Sequence, residues 1–326
     1  MSVSVVVPVY DEADNIPLLY EAVTSVMQRM RVRYEIILVN DGSQDGSTRC
    51  LDELTQQDSL VKVIELRKNY GQTAAMQAGI QAASMDTIVL LDGDLQNDPN
   101  DIPSLLAKLE EGYDLAHGWR KNRQDTFLDR KLPSKMANWL ISKVTGFPAH
   151  DIGCTLKAIR TEIAQELDLY GEMHRFIPIL AHGRGARCVE VETTHHPRLY
   201  GHSKYGISRT LRVLLDLVTV TYFIHYSSSP MKLLGSVGLA SFLMSSIAGI
   251  SAVWVKLGSG AEITGNTLLI LAALFSLAGL QFLFFGIMGE ICSRIYFASH
   301  NKTNYAIRRM MNFEESTIPF RRRRSA

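Results

Sequence analysis

The sequence predicts an α/β domain built on an open, mostly parallel sheet and followed by two membrane-spanning helices. Three observations lead to this prediction. Short apolar runs rich in β-branched residues alternate with helical segments through the first half, as βαβ units require. Polar side chains follow three of these runs, and such sheets bind ligands outside the carboxyl ends of their strands. The second half holds two apolar stretches, each longer than the roughly 20 residues that a spanning helix needs.

The strands and helices of the first half are predicted in order from these patterns. Four apolar runs are typical of strands buried on both faces, and they cover residues 3–7, 35–39, 61–66 and 87–91. Asp14 and Asn15 are candidate caps for a first helix, with Pro17 in its first turn. Further helices follow Ser47 and cover residues 71–83, and residues 114–117 form another strand.

Acidic side chains gather where the predicted strands end. Tyr10, Asp11 and Glu12 follow the first strand, Asp41 follows the second, and Asp92-Gly-Asp94 follows the fourth. Two carboxylates one residue apart suit a divalent cation that bridges a diphosphate, because Mg²⁺ is commonly held by one or two carboxylates plus phosphates. Neither a Gly-x-Gly-x-x-Gly nor a Gly-x-x-x-x-Gly-Lys-Ser/Thr motif is present, which disfavours a dinucleotide-binding Rossmann site and excludes a P-loop.

The second half is predicted to meet a membrane. Residues 231–255 and 267–289 form a helical hairpin, and residues 206–225 carry apolar positions at helical spacing beside two arginines. This segment is either an amphipathic helix in the membrane interface or a core helix. Basic residues flank the hairpin on both sides, so the positive-inside rule places both termini in the cytoplasm. The predicted domains are residues 1–205, a juxtamembrane helix 206–229, the hairpin 230–290 and a basic tail 291–326.

Composition narrows the class of partner. The net charge is +1 and the pI is about 7.7, so no nucleic-acid partner is expected. The four cysteines show no paired spacing, which argues against a zinc ribbon or a disulfide framework.

Four segments together resemble one known family. They are Val-Val-Pro8-Val-Tyr10-Asp-Glu12, Val-Asn-Asp41-Gly-Ser43, Leu-Asp92-Gly-Asp94-Leu-Gln96 and Arg198-Leu-Tyr-Gly-His-Ser-Lys204-Tyr. In this order, and with the hairpin after them, they resemble family 2 glycosyltransferases of GT-A fold. Within that family the chain looks most like polyprenyl-phosphate glycosyltransferases, which include dolichyl-phosphate mannose synthases and GtrB-type bactoprenol glucosyltransferases. One departure is Asn97-Asp98-Pro99, where the family often has His-Pro.

The resemblance implies a role for each matching residue. Nucleotide-sugar binding falls to Pro8, Tyr10, Glu12, Asp41, Asp92 and Gln96, and metal binding (Mg²⁺ or Mn²⁺) to Asp92, Asp94 and Gln96. The acceptor phosphate would be bound by Arg130, Ser134, Asn138, Arg198 and Lys204. Catalysis would rest on Asp94, Asp151, Arg130 and Arg198. Asp151 is either a general base or a residue that orients the acceptor or a basic partner.

The implied reaction is metal-dependent, inverting transfer of a hexose from a UDP-sugar to undecaprenyl phosphate at the cytoplasmic face of the inner membrane. The resemblance favours glucose, while GDP-mannose, UDP-linked amino sugars and dolichyl phosphate remain open. The product would be a lipid-linked sugar for modification of an envelope polysaccharide, and a homo-oligomer is compatible with the family. A processive polysaccharide synthase is disfavoured because no Gln-x-x-Arg-Trp segment is present. The alternative from another class is a non-catalytic membrane scaffold.

Overall fold

The computed structural model describes residues 1–121, 147, 150–169, 171–197, 230–259, 267–298 and 304–313. The chain forms two compact units. One consists of Met1–Val220 together with Thr303–Ala326, and the other of Thr221–Lys302. The helix predicted over residues 206–229 lies outside the described residues.

An eight-stranded sheet forms the frame of the first unit. Its strands, in chain order, are β1 Ser2–Val9, β2 Arg33–Asn40, β3 Val61–Leu66, β4 Thr87–Leu90, β5 Leu115–Trp119, β6 Lys157–Arg160, β7 Cys188–Glu192 and β8 Ile307–Met311. They lie in the order β7-β5-β6-β4-β1-β2-β3-β8. Strands β4, β1, β2 and β3 are mutually parallel, as are β5 and β7, whereas β6 and β8 run antiparallel to their neighbours. The prediction of a mostly parallel sheet is confirmed.

The described residues of this unit include six α-helices: α1 Ile16–Met30, α2 Ser47–Gln57, α3 Gln72–Ala82, α4 Ile102–Glu110, α5 Thr161–Glu166 and α6 Ile177–Gly183. Helix α1 starts with a proline in its first turn and buries one apolar face in the core. Helix α3 is built of small residues because it packs almost directly on β1. A Cβ atom on Gly79 would lie 2.3 Å from a Val6 methyl group, so only glycine fits there.

The strand order creates a crevice at the carboxyl ends of β1 and β4. From β1 the chain moves outward to β2 and β3, and then returns to place β4 on the other side of β1. The loops after β1 and β4 therefore leave in opposite directions. Such a switch point is where open α/β sheets bind their ligands.

Strand β8 was not predicted, because the sequence analysis treats its segment as part of a basic tail. It pairs antiparallel with β3 and so covers that edge of the sheet. Arg309 binds the carboxylate of Glu65, which is only 8% exposed, and its Nη2 lies 2.8 Å from Asp52 Oδ1. Asn312 donates from Nδ2 to the backbone carbonyls of Thr55 near the end of α2, Asp58 in the loop that follows, and Val61 at the start of β3. Acidic partners far away in sequence thus stabilise this strand.

The second unit contains two long helices, α7 Pro230–Ser259 and α8 Thr267–Ala298. Both are long and apolar enough to cross a membrane, judged by length and composition. They pack against each other through small residues. Ser245 Oγ also donates to the carbonyl of Ala272 across the pair, over 2.7 Å. The prediction of two apolar helices, over residues 231–255 and 267–289, is confirmed.

We expect Gly238→Leu to weaken this helix pair. A Cβ atom at Gly238 would lie 3.0 Å from the carbonyl oxygen of Gly279, and a Cβ atom at Gly279 would lie 3.0 Å from the carbonyl oxygen of Gly238. Helices in lipid associate through such close packing of small residues, so a larger side chain forces them apart. The expected cost is about 1–3 kcal/mol, seen as a lower unfolding temperature in detergent. The matched control is Gly258→Leu, since a Cβ there meets no atom within 4 Å. Equal effects of the two substitutions would contradict the prediction.

Candidate active site

Two carboxylates stand at the crevice, directly after β4. The loop that bears them is tight, since a Cβ atom on Gly93 would lie 3.2 Å from the carbonyl oxygen of Pro8 at the end of β1. Asp94 is buried and accepts a hydrogen bond from the backbone N–H of Gln96 over 3.2 Å. Leu95 between them has a φ of +58°, a conformation rare for a leucine, and such strain clusters at functional sites.

Asp92 sits in an environment that disfavours its own charge. Gln72 donates from Nε2 to its Oδ1 over 2.7 Å. Burial and the neighbouring charge of Asp94, in that order, raise the pKa of Asp92 to about 6. A cation placed between two such carboxylates relieves both effects.

The donor set fits Mg²⁺ or Mn²⁺. Asp92, Asp94 and the side-chain oxygen of Gln96 are hard ligands close together in sequence. Among the described residues no group of three or more His, Cys, Asp or Glu side chains is arranged to hold a metal ion. An ion here would therefore complete its shell with phosphate oxygens and water, which is how Mg²⁺ is usually bound at phosphate-transfer sites.

We expect Asp92→Asn to stabilise the metal-free protein at neutral pH. The folded-state pKa of about 6 lies above the ordinary 3.8, so the protein is penalised for holding this carboxylate charged. Below about pH 4 the group is protonated in both states and the substitution changes little. Between pH 4 and pH 6 the penalty grows, reaching on the order of 1–3 kcal/mol. Unfolding temperatures in EDTA at pH 4.5 and 7.5 measure this, and a variant no more stable than wild type at pH 7.5 would contradict it.

The loops after β1 and β2 are locked to each other. Asp11, at a φ of +52°, accepts the backbone N–H of Gln44 over 2.8 Å, and Ser47 Oγ accepts the N–H of Glu12 over 3.0 Å. The sequence makes Asn15 a candidate cap for helix α1, but its side chain accepts no capping hydrogen bond. The side-chain amide of Asn15 instead donates to the carboxylate of Glu12. Pro8, Tyr10 and Glu12 therefore lie on a fixed rim of the crevice.

Asp41 is directed at the start of α3. It is 2% exposed and accepts the backbone N–H groups of Tyr70 and Gly71 over 2.7 and 2.9 Å. Burial raises the pKa of Asp41, and these two hydrogen bonds offset part of that shift. Asp41 thereby fixes the turn that presents Gln72 to Asp92.

On the far side of β4, Asp151 is held by Arg120. The guanidinium donates from Nε and Nη2 to the two carboxylate oxygens over 2.7 and 3.0 Å, and Asp151 is 4% exposed. A bidentate pair of this kind stabilises the ionised carboxylate and occupies both of its oxygens. This geometry favours an orienting role for Asp151 over a role as general base.

Three further polar residues lie around this pair. Lys157 on β6 is 1% exposed, its Nζ donates to the carbonyl of Cys154, and burial lowers its pKa to about 8. Burial lowers the pKa of His117 on β5 to about 4, so its ring is neutral at pH 7. Glu190 on β7 accepts the backbone N–H of Asp151 over 3.3 Å.

Sequence reasoning missed this cluster because three separate strands bring it together. The one local signal was a single lysine inside the apolar run Leu156–Ile159. Trp119, the last residue of β5, stacks on His150 with the two ring centroids 4.5 Å apart.

Two basic segments of the sequence are predicted to bind the acceptor phosphate. Arg130, Ser134, Asn138, Arg198 and Lys204 all lie outside the described residues, so their roles stay predictions.

Comparison with known proteins decides the family. The model of "Glycosyl transferase family 2" matches residues 4–168, which contain most of β1, all of β2 to β6 and both carboxylates of the crevice. The chain belongs to glycosyl transferase family 2. This family 2 enzyme is therefore a glycosyltransferase.

Two relatives match this glycosyltransferase along nearly its whole length. Dodecaprenyl-phosphate galacturonate synthase of Rhizobium johnstonii is 40% identical over 316 residues, covering 96% of this chain and 94% of the relative. Undecaprenyl-phosphate 4-deoxy-4-formamido-L-arabinose transferase of Proteus mirabilis is 37% identical, with 96% and 95% covered.

A solved structure resembles the glycosyltransferase in fold. Glucosyl-3-phosphoglycerate synthase of Mycobacterium tuberculosis, in complex with Mn²⁺ and uridine-diphosphate-glucose, has a TM-score of 0.52 at 16% identity. The match covers 70% of this chain and 81% of the other. The GT-A fold predicted from the motifs is confirmed.

Proposed function

We propose that this glycosyltransferase moves a sugar from a nucleoside diphosphate to a polyprenyl phosphate at a membrane surface. The observation that carries the proposal is the pair Asp92 and Asp94 at the switch point of the sheet, where a diphosphate and a divalent ion fit together. Relatives named for polyprenyl-phosphate acceptors cover 96% of the chain. Helices α7 and α8 would hold the enzyme where such an acceptor resides.

The donor is proposed to be a UDP-sugar, and the identity of the transferred sugar is a separate question. The motif resemblance favours glucose. The two relatives are named for a galacturonate and for 4-deoxy-4-formamido-L-arabinose, so they do not support glucose. Any test of the donor therefore includes UDP-glucose, UDP-galacturonate and a UDP-linked amino sugar.

The chemistry assigns each group a task. A bound Mg²⁺ or Mn²⁺, held by Asp92, Asp94 and Gln96, would neutralise the charge that develops on the departing UDP. The acceptor phosphate is largely dianionic at neutral pH, since its second pKa is about 6. Its oxygen forms a bond to the anomeric carbon while the bond from that carbon to UDP breaks, so the configuration inverts. This nucleophile needs no strong base, which agrees with an Asp151 already occupied by Arg120.

Acceptor binding is assigned to the basic segments. Arg130, Ser134, Asn138, Arg198 and Lys204 would hold the lipid phosphate in line with the leaving group. Arginine suits this task because its planar fork can bind two phosphate oxygens at once.

We also propose that both termini face the cytoplasm at the inner membrane. The chain leaves the first unit, passes through α7 and α8, and returns to it to form β8. Such a return requires an even number of crossings, which two spanning helices provide. Basic residues on both sides of the hairpin favour the cytoplasmic side. A homo-oligomer stays a prediction, to be checked by the mass of the purified protein in detergent.

The experiment that tests the function is transfer from labelled UDP-sugars to undecaprenyl phosphate in detergent, with Mn²⁺ or Mg²⁺ and then with EDTA. Metal-dependent formation of a labelled lipid supports the proposal and identifies the sugar. Metal-dependent binding of UDP without transfer from any of the three sugars would overturn the proposed donors while keeping the site. If the protein shows no UDP binding and no sugar transfer, the non-catalytic scaffold is favoured.

A further inference from the structure

The turn that leads into helix α3 is tightly restrained. It covers residues 68–71, and we call it the α3 turn. The loop after β2 packs directly against it, since a Cβ atom on Gly42 would lie 2.5 Å from the backbone carbonyl carbon of Lys68. Gly71 has a φ of +95° and a ψ of +155°, a conformation essentially restricted to glycine. These two features confine the backbone of the turn to a narrow range.

Hydrogen bonds anchor the chain on both sides of Gln72, the first residue of α3. Asp41 uses its two carboxylate oxygens to accept two backbone N–H groups at the end of the α3 turn. On the helical side, Thr73 Oγ1 lies 2.7 Å from Nδ1 of His174, which is itself buried. The backbone of Gln72 is therefore fixed by contacts that belong to the protein alone.

From this anchored position, Gln72 directs its amide at the first carboxylate of the crevice. Its Nε2 donates to Oδ1 of Asp92 over 2.7 Å, a distance typical of a hydrogen bond to a charged acceptor. An amide can orient a carboxylate without bringing a charge that would compete with a cation. Carboxylates that bind metal ions are commonly held by such outer hydrogen bonds, and loss of one typically costs about 10–100-fold in metal affinity or activity.

We propose that Gln72 is a positioning residue which orients the Asp92 carboxylate for the divalent cation. The inference rests on the proposed function, in which Asp92 and Asp94 bind Mg²⁺ or Mn²⁺. Asp41 belongs to the same arrangement, because it fixes the turn from which Gln72 extends. Thr155 is a further hydrogen-bond partner of Asp92, so loss of the Gln72 contact should weaken cation binding without abolishing it.

The first test compares Gln72→Met with Gln72→Asn. Methionine keeps the length of the side chain and removes the donor, whereas asparagine keeps the donor on a side chain one methylene shorter. Free Mn²⁺ is measured by electron paramagnetic resonance in titrations of the full-length protein in detergent, without UDP and with UDP at a fixed concentration. We expect both variants to bind Mn²⁺ about 10-fold more weakly than wild type. Wild-type affinity in either variant would overturn the proposal.

The matched controls are Gln81→Met and Gln81→Asn, near the other end of helix α3. Gln81 Nε2 donates to the backbone carbonyl of Gln165 over 3.0 Å, so the same substitutions remove a comparable hydrogen bond away from the crevice. Both control variants should keep the wild-type affinity for Mn²⁺. A loss equal to that of the Gln72 variants would indicate a general effect on α3 and would contradict the positioning role.

Kinetics and binding together distinguish failure of this inference from failure of the proposed function. In the transfer assay, the Gln72 variants should show a KM for Mn²⁺ raised about 10-fold, with kcat at saturating Mn²⁺ within about threefold of wild type. An unchanged KM for Mn²⁺ would count against the inference alone. Wild-type protein that binds no Mn²⁺, with or without UDP, would overturn the metal site and this inference with it. Weaker Mn²⁺ binding by the Gln72 variants, with no lipid product from any sugar, would support the positioning role and count against the proposed function.

Discussion

Asp94→Asn is expected to abolish sugar transfer, lowering kcat by at least about 10²–10³-fold. The substitution keeps the size of the side chain and removes the charge that would bind the cation. Without that charge the site would bind the cation less tightly, so the charge on the departing diphosphate would be less well neutralised. The measurement is transfer of labelled sugar by purified variant and wild type across a range of Mn²⁺ concentrations.

The control for this variant is Glu166→Gln, which makes the same chemical change on the exposed end of helix α5. It should leave both activity and Mn²⁺ dependence at wild-type values. Without metal, Asp94→Asn should be at least as stable as wild type, because it removes the charge that disfavours ionised Asp92. The variant should lose the rise in unfolding temperature that Mn²⁺ plus UDP produces. Near-normal turnover by Asp94→Asn would remove the basis for the metal assignment.

Arg120→Met is expected to destabilise the protein by about 3–5 kcal/mol. The pair that Arg120 makes with Asp151 is buried, and removal of one partner leaves the other as an uncompensated charge. Replacement of both, as Arg120→Met with Asp151→Leu, should restore most of the loss, because apolar groups need no charged partner. Unfolding temperatures of the three proteins in detergent measure this cycle.

The activity of a further variant, Asp151→Asn, separates the two interpretations of Asp151. If the carboxylate orients its surroundings, Asp151→Asn retains measurable transfer whose pH profile matches wild type. If it is the general base, Asp151→Asn lowers transfer at all pH values, and the acidic limb of the pH profile, which reports protonation of the base, disappears. A stable, fully active Arg120→Met protein would contradict the pairing as described.

Much of the central sheet could be predicted because its physical signal is local. The first four strands are apolar, β-branched runs buried on both faces, and they were located to within three residues at either end. Asp92 and Asp94 follow β4 in sequence, so the topology alone brings them to the crevice. The two apolar helices carry a signal of length and composition that needs no tertiary context.

The remaining features depend on partners that sequence spacing does not reveal. The sequence of β8 is typical of a basic tail, because the acidic partners of Arg309, which are Glu65 and Asp52, lie far away along the chain. Arg120 looks like an ordinary surface residue, yet its carboxylate partner is 31 residues away. His196 Nε2 lies 3.0 Å from Asp98 Oδ2, although the two residues are 98 positions apart in the chain. Each of these contacts is set by strand order, which periodicity along the chain cannot specify.

The late position of β8 in the chain sets the order in which the enzyme can be built. Arg309 follows its partner Glu65 by 244 residues, and both membrane helices lie between them. At about 5–20 residues per second, β3 waits roughly 12–50 s on the ribosome before its neighbour is synthesised. During that interval the β3 edge is an open template for pairing with other chains. The sheet is therefore completed only after the hairpin has been synthesised, which makes its edge most vulnerable to aggregation when membrane insertion is delayed.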